Sequence, residues 1–132
     1  MESWRKVFRD GFAPVLSTKG LEALRDALKS DDPRLVQGTS TVPAPLICVE
    51  DWPCEGACAV GFCGWQGDDK QTVGACSESF AVACFEADQL LGEPAACRWF
   101  LNWFDDCPRD EMLRELLPEV EAALTARETA IV

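Results

Sequence analysis

The 132 residues predict an all-α fold, a compact single domain over 1–132 built from five or six helices and allowing one short extended segment around 46–49. Three observations predict it. Apolar residues recur at three- and four-residue intervals through most of the chain. The interruptions are Pro, Gly, Ser and Asp of the kind that start and stop helices. Hydrophobic residues make up 48% and charged residues 27%, the balance of a packed globule of one-domain length.

Trp4, Val7, Phe8 and Phe12 stand at helical spacing, and Gly11 with Pro14 predicts the end of that segment. Thr18 is the expected N-cap of a second helix, with Leu21, Leu24 and Leu28 on one stripe and an end near Ser30. Asp32-Pro33 predicts a single helical turn closed by Gly38. Thr39 to Pro45 reads as an extended connector, because Pro43 and Pro45 have no backbone donor for a central strand. Leu46 to Val49 is the one apolar run that reads as a strand, and it has no evident partner.

Asp51-Trp52-Pro53 predicts a helix running to about Cys63 and stopping at Gly64. After a polar turn at Gly67–Lys70 comes the clearest pattern of all. Val73, Cys76, Phe80, Ala83, Cys84, Ala87 and Leu91 make one face of a 3.6-residue period, with Gly92 as its stop. Glu93-Pro94 starts a helix in which only Arg98 and Asn102 are polar between Ala95 and Phe104, as expected of a central helix or one facing a partner. Asp106-Cys107-Pro108 begins the last segment. There Leu113, Leu116, Leu117, Val120 and Leu124 form a stripe, and Pro118 either kinks one helix or starts another.

Charge restricts the partners. Twelve basic residues against 23 acidic ones give a net charge of −11. Residues 36–97 hold one basic residue, Lys70, and nine acidic ones. Such a surface repels phosphate backbones and anionic lipids, so neither nucleic acid nor membrane is an expected partner. The N-terminal residues lack the apolar run of a signal peptide, and no stretch approaches the roughly 20 apolar residues of a membrane span. The expected location is the cytoplasm.

Histidine and tyrosine are absent, which removes histidine-based triads and histidine-ligated metals. Eight cysteines, at 48, 54, 58, 63, 76, 84, 97 and 107, fall within one 60-residue stretch. They allow three readings: interior packing, disulfides, or metal and redox work. No C-x₂-C knuckle of the usual zinc or iron–sulfur kind occurs. Cys54 and Cys58, four residues apart, would share a face of a helix and are the candidate ligands for Cu(I) or Zn²⁺. Packing accounts for the cysteines most simply, since they stand where alanine or valine would serve. The acidic pairs Asp31-Asp32, Glu50-Asp51, Asp68-Asp69 and Asp105-Asp106 read as caps and turns.

Trp52, Trp65, Trp99 and Trp103 are the candidate binding residues, walling an apolar pocket or forming a dimer seam. The residues together predict a non-catalytic binding or assembly module without a cofactor, its partner a second copy of the chain or a basic protein. The alternatives are a thiol-based metal or redox protein using Cys54 and Cys58, and a small-ligand binder with an aromatic pocket.

Overall fold

The computed structural model describes residues 3–131 and shows an all-α bundle with one two-stranded sheet. Ser3 opens the first helical run, its side chain accepting the Lys6 N–H at 3.1 Å. That run is longer than its sequence pattern suggests. Helix α1 (Trp4–Val7) passes through a π-helical turn at Phe8–Phe12 into α2 (Ala13–Val15), so neither Gly11 nor Pro14 ends it. The widened turn closes with the Ala13 N–H on the Phe8 carbonyl, and Pro14, which has no N–H to give, follows directly.

Helix α3 (Thr18–Ser30) is capped one residue earlier than expected. Ser17, in extended conformation, accepts the Gly20 N–H at 2.9 Å, leaving Thr18 as the first helical residue. Asp31 ends the helix in the left-handed region, at φ 50°. Asp32-Pro33 makes a single turn, with the Leu35 N–H on the Asp32 carbonyl at 3.1 Å.

Of residues 46–49 only Leu46 is extended. Ile47–Val49 form a 3-10 turn, and the sheet instead pairs β1 (Thr41–Val42) with β2 (Gly56–Ala57), antiparallel. Leu46–Val49 is apolar without a neighbouring strand to pair with, and Leu46 and Ile47 point outward. The helix expected from Pro53 is likewise displaced. Pro53 bridges Thr72, the Cys54 N–H donates to Gln71 O at 2.8 Å, and the Glu55 N–H donates to Val42 O at 2.7 Å. These long-range bonds claim the backbone donors that a local helix would use. Helix α4 therefore begins only at Ala59 (Ala59–Phe62) and continues through Gly64 as a π-helical turn, Cys63–Gly67.

Helix α5 (Val73–Leu91) keeps its predicted bounds. Thr72 accepts the Ala75 N–H at 3.1 Å, and Gly92 closes the helix at φ 71°. Helix α6 (Arg98–Asp106) precedes α7 (Arg109–Ile131), which runs unbroken through Pro118.

Helix α3 lies between α7 and the Cys63–Gly67 turn, while α5 packs on the first helical run and α6 on α1. Phe100 of α6 sits at the centre, fully buried, with the rings of Phe8 and Phe12 both 5.3 Å away. Phe62, Phe104, Leu21, Leu24, Met112 and Leu116 complete the interior, each contributing roughly 1.5–3 kcal/mol through burial.

Side chains from distant elements donate to backbone carbonyls at helix ends and in the turn after α3. Arg127 donates to Ala13 O and Leu16 O at the end of α2. Arg109 donates to Leu35 O at 2.6 Å and Asp32 O at 3.0 Å. Gln37 donates to Phe104 O at 2.7 Å and Cys107 O at 2.8 Å, closing α6. Glu119, buried in the middle of α7, accepts a forked pair of bonds from Arg9 at 2.5 and 2.9 Å.

Candidate functional site

Cys54 and Cys58 do not share a helical face. Cys54 lies in the extended stretch before β2, and Cys58 is the extended residue that precedes α4. Both are buried. The Cys54 thiol donates to Gly56 O at 3.1 Å, and the Cys76 thiol donates to Gly61 O at 3.3 Å. Cys63 donates to Ala59 O at 3.3 Å, within its own turn of helix.

A thiol must lose its proton before it can ligate a metal or attack an electrophile. Here burial opposes that loss. It pushes Cys58 up to about 11, against the N–H groups of Gly61 and Val60 that favour its thiolate. Burial raises Cys63 and Cys76 further, with neighbouring thiols adding to the effect. Among the described residues, no group of three or more cysteines and carboxylates is placed to hold a metal ion.

The four candidate tryptophans are dispersed, and among the described residues no ring contact joins any two of them. Trp65 is buried, edge-on to Phe62 at 5.7 Å, with the Arg34 guanidinium 5.5 Å from its ring. Trp103 is half-buried and stacks on Trp4, the centroids 3.6 Å apart and the planes 6° from parallel. Trp99 and Trp52 are exposed.

What sequence reasoning missed is an apolar surface around α5. Ile47 is 89% exposed, and Leu46, Trp52, Val82, Phe85 and Leu90 also lie open to solvent. The 3-10 turn is fastened to the start of α5 by the Gly74 N–H on Glu50 O at 2.8 Å and the Val73 N–H on Trp52 O at 2.9 Å. A furrow of about 180 Å³ between Ile47, Leu46, Val73 and Ser77 opens along this junction. Ser77, Ala81 and Phe85 follow one another at four-residue intervals, carrying the surface along the helix. Exposed carboxylates of Glu50, Asp51, Glu78 and Glu86 belong to the same elements. The signal was present in part, since Val82, Phe85 and Leu90 fall off the buried stripe of α5.

A separate cavity of about 200 Å³ lies between Phe80, Phe100, Phe104 and Leu101, with Cys58 and Asp105 in its wall. Among the described residues no helix is long and apolar enough to cross a membrane. Comparison of the chain with protein-family models, with curated proteins and with solved structures finds no match.

Proposed function

We propose that this chain is a non-catalytic binding module whose exposed apolar face, formed by the 3-10 turn and α5, takes a basic amphipathic helix. The observation that carries the proposal is Ile47, an aliphatic side chain 89% in water on a turn that is hydrogen-bonded into the fold. Isolated exposed apolar residues are ordinary, but a group on adjoining elements marks an interaction surface. A helix laid along α5 would present apolar residues at three- and four-residue spacing to Ile47, Ala81 and Phe85.

Charge selects the occupant. Glu50, Asp51, Glu78 and Glu86 would meet their own kind in a second copy of a chain that carries −11 overall. A lysine- or arginine-bearing helix meets complementary charge, which speeds encounter and fixes orientation. Burying Leu46, Ile47, Trp52 and Phe85 gains roughly 1.5–3 kcal/mol each before the cost of association. The chemistry of the interior supports the non-catalytic part, because the buried thiols are held protonated and no histidine supplies a base.

Calorimetric titration with an amphipathic lysine–leucine helical peptide, and with its glutamate–leucine counterpart, tests this directly. Saturable binding of the basic peptide alone is expected, weakened by salt and lost in Ile47→Asp and Phe85→Asp. Equal binding by those variants, or none by the parent chain, overturns the proposal.

A further inference from the structure

A groove of about 360 Å³ runs between the end of the first helical run and the second half of α7. Ala13, Ala122 and Ala126 line it together with Arg9, Glu119 and Arg127. Glu119, Ala122 and Ala126 stand three and four residues apart on α7, so they share one face, and the alanines leave it hollow. The charges in the wall are matched unequally. Arg9 and Glu119 form a forked pair at 2.5 and 2.9 Å, in which their charges cancel. Arg127 is half-buried and, among the described residues, makes no ion pair. Its guanidinium donates to Ala13 O, Leu16 O and Thr18 Oγ1, all neutral oxygens, which leaves its Nε–H and one Nη1–H unused. Carbonyls at a helix end supply at most about half an elementary charge, so a half-buried cation here lacks its counter-ion.

We propose that this groove binds an aliphatic carboxylate of the medium-chain fatty acid class, its head group on Arg127 and its chain along the alanines. Sites for small molecules have this volume and this make-up, an apolar wall with a few polar groups that fix orientation. A carboxylate supplies the missing counter-charge and accepts charge-assisted bonds from the unused guanidinium N–H groups. The protein's acidic excess does not oppose it, because the groove itself carries two guanidinium groups against one carboxylate. Exposed charges farther away than about 8 Å are largely screened at physiological salt. The cavity beside Phe100 and the furrow at Ile47 have the opposite sign, with Asp105 and Glu50 as the charged residues in their walls, and neither suits an anion. The groove shares no lining residue with that furrow, so this site is additional to the docking surface.

The full-length protein, isotope-labelled at its alanine methyls, is titrated with decanoate, with acetate and with decyltrimethylammonium, and followed by NMR. Decanoate should shift the methyls of Ala13, Ala122 and Ala126 saturably. Acetate lacks the chain and decyltrimethylammonium carries the wrong charge, so both should leave these methyls in place. Ala126→Trp fills the groove from an exposed position and should weaken decanoate roughly tenfold or more. Arg127→Gln should do the same. If loss of its carbonyl bonds unfolds that variant, the parent chain's response to the two amphiphiles still decides the role of charge. Absence of saturable shifts at these methyls, an equal response to decyltrimethylammonium, or undiminished affinity in Ala126→Trp overturns the assignment. The docking proposal stands or falls separately, because it is read with peptides and with Ile47 and Phe85.

Discussion

Gly67, at the end of the π-helical turn, and Gly20, in the first turn of α3, meet backbone to backbone: a Cβ on Gly67 would lie 2.3 Å from the Gly20 Cα. The same atom would stand 2.4 Å from the Gly20 nitrogen, so no rotamer change in a neighbour could relieve it. In an open helix, replacing glycine by alanine gains about 1 kcal/mol. Here Gly67→Ala should reverse that sign and cost about 2–3 kcal/mol, as overpacking against rigid atoms does. Urea denaturation reads it as a lowered midpoint, and a midpoint at or above that of the parent chain would refute the close crossing.

Phe100 and Phe85 test the division between interior and surface. Phe100 is fully buried and touches the rings of Phe8, Phe12, Trp103 and Phe104. Phe100→Ala should cost about 3–5 kcal/mol. Phe85, 63% exposed, should tolerate serine within about 0.5 kcal/mol. Equal losses in the two variants, measured by chemical denaturation, would show that the α5 surface is covered in the folded chain.

The buried thiols predict an alkaline limit. Cys58 and Cys97 are pushed from the usual 9.0 up to about 11. A raised value means that the folded state retains protons the unfolded chain releases, so the contribution is complete below about pH 9 and is lost as pH rises toward 11. Denaturant midpoints recorded between pH 8 and pH 11 should fall across that window, and Cys58→Ala should flatten the slope. A midpoint constant over the window would contradict the burial of these thiols.

The loop before α6 predicts opposite effects at two positions seven residues apart. Ala95 pays the steric penalty of φ 62° with its side chain in solvent, so Ala95→Gly should stabilise by about 0.5–1 kcal/mol. Asp88→Ala removes the acceptor for two backbone N–H groups and should cost about 1–2 kcal/mol. Thermal unfolding of the two variants side by side checks the pair, and loss of stability in Ala95→Gly would contradict the strained turn.

The long helices are legible in the sequence because their signals are local. Helix α5 starts at Val73 and ends before Gly92 as its periodicity and stop residue require. The cap of α3 differs by one residue, since Ser17 and Thr18 are chemically equivalent caps and the backbone conformation chooses between them. Residues 53–63 were not legible, because what decides them is distant: Cys54 bonds Gln71 and Glu55 bonds Val42, outcompeting a helix that the local pattern favours. The candidate site divides the same way. Phe85 stands off the buried stripe of α5 and its exposure follows from the helical period. Ile47 belongs to an apolar run, and nothing in the run itself says that it faces water.

The first helical run depends on residues more than a hundred positions later. Arg5 and Arg9 pair with Glu115 and Glu119, and Arg127 closes the carbonyls of Ala13 and Leu16. Contacts of such high sequence separation form late, after the intervening chain has been ordered. On the ribosome, Phe8 and Phe12 would wait unsheltered until α5 and α6 emerged, and the ion pairs and carbonyl caps of residues 4–16 until α7 followed, making the chain's opening segment the part most in need of protection while it is being made.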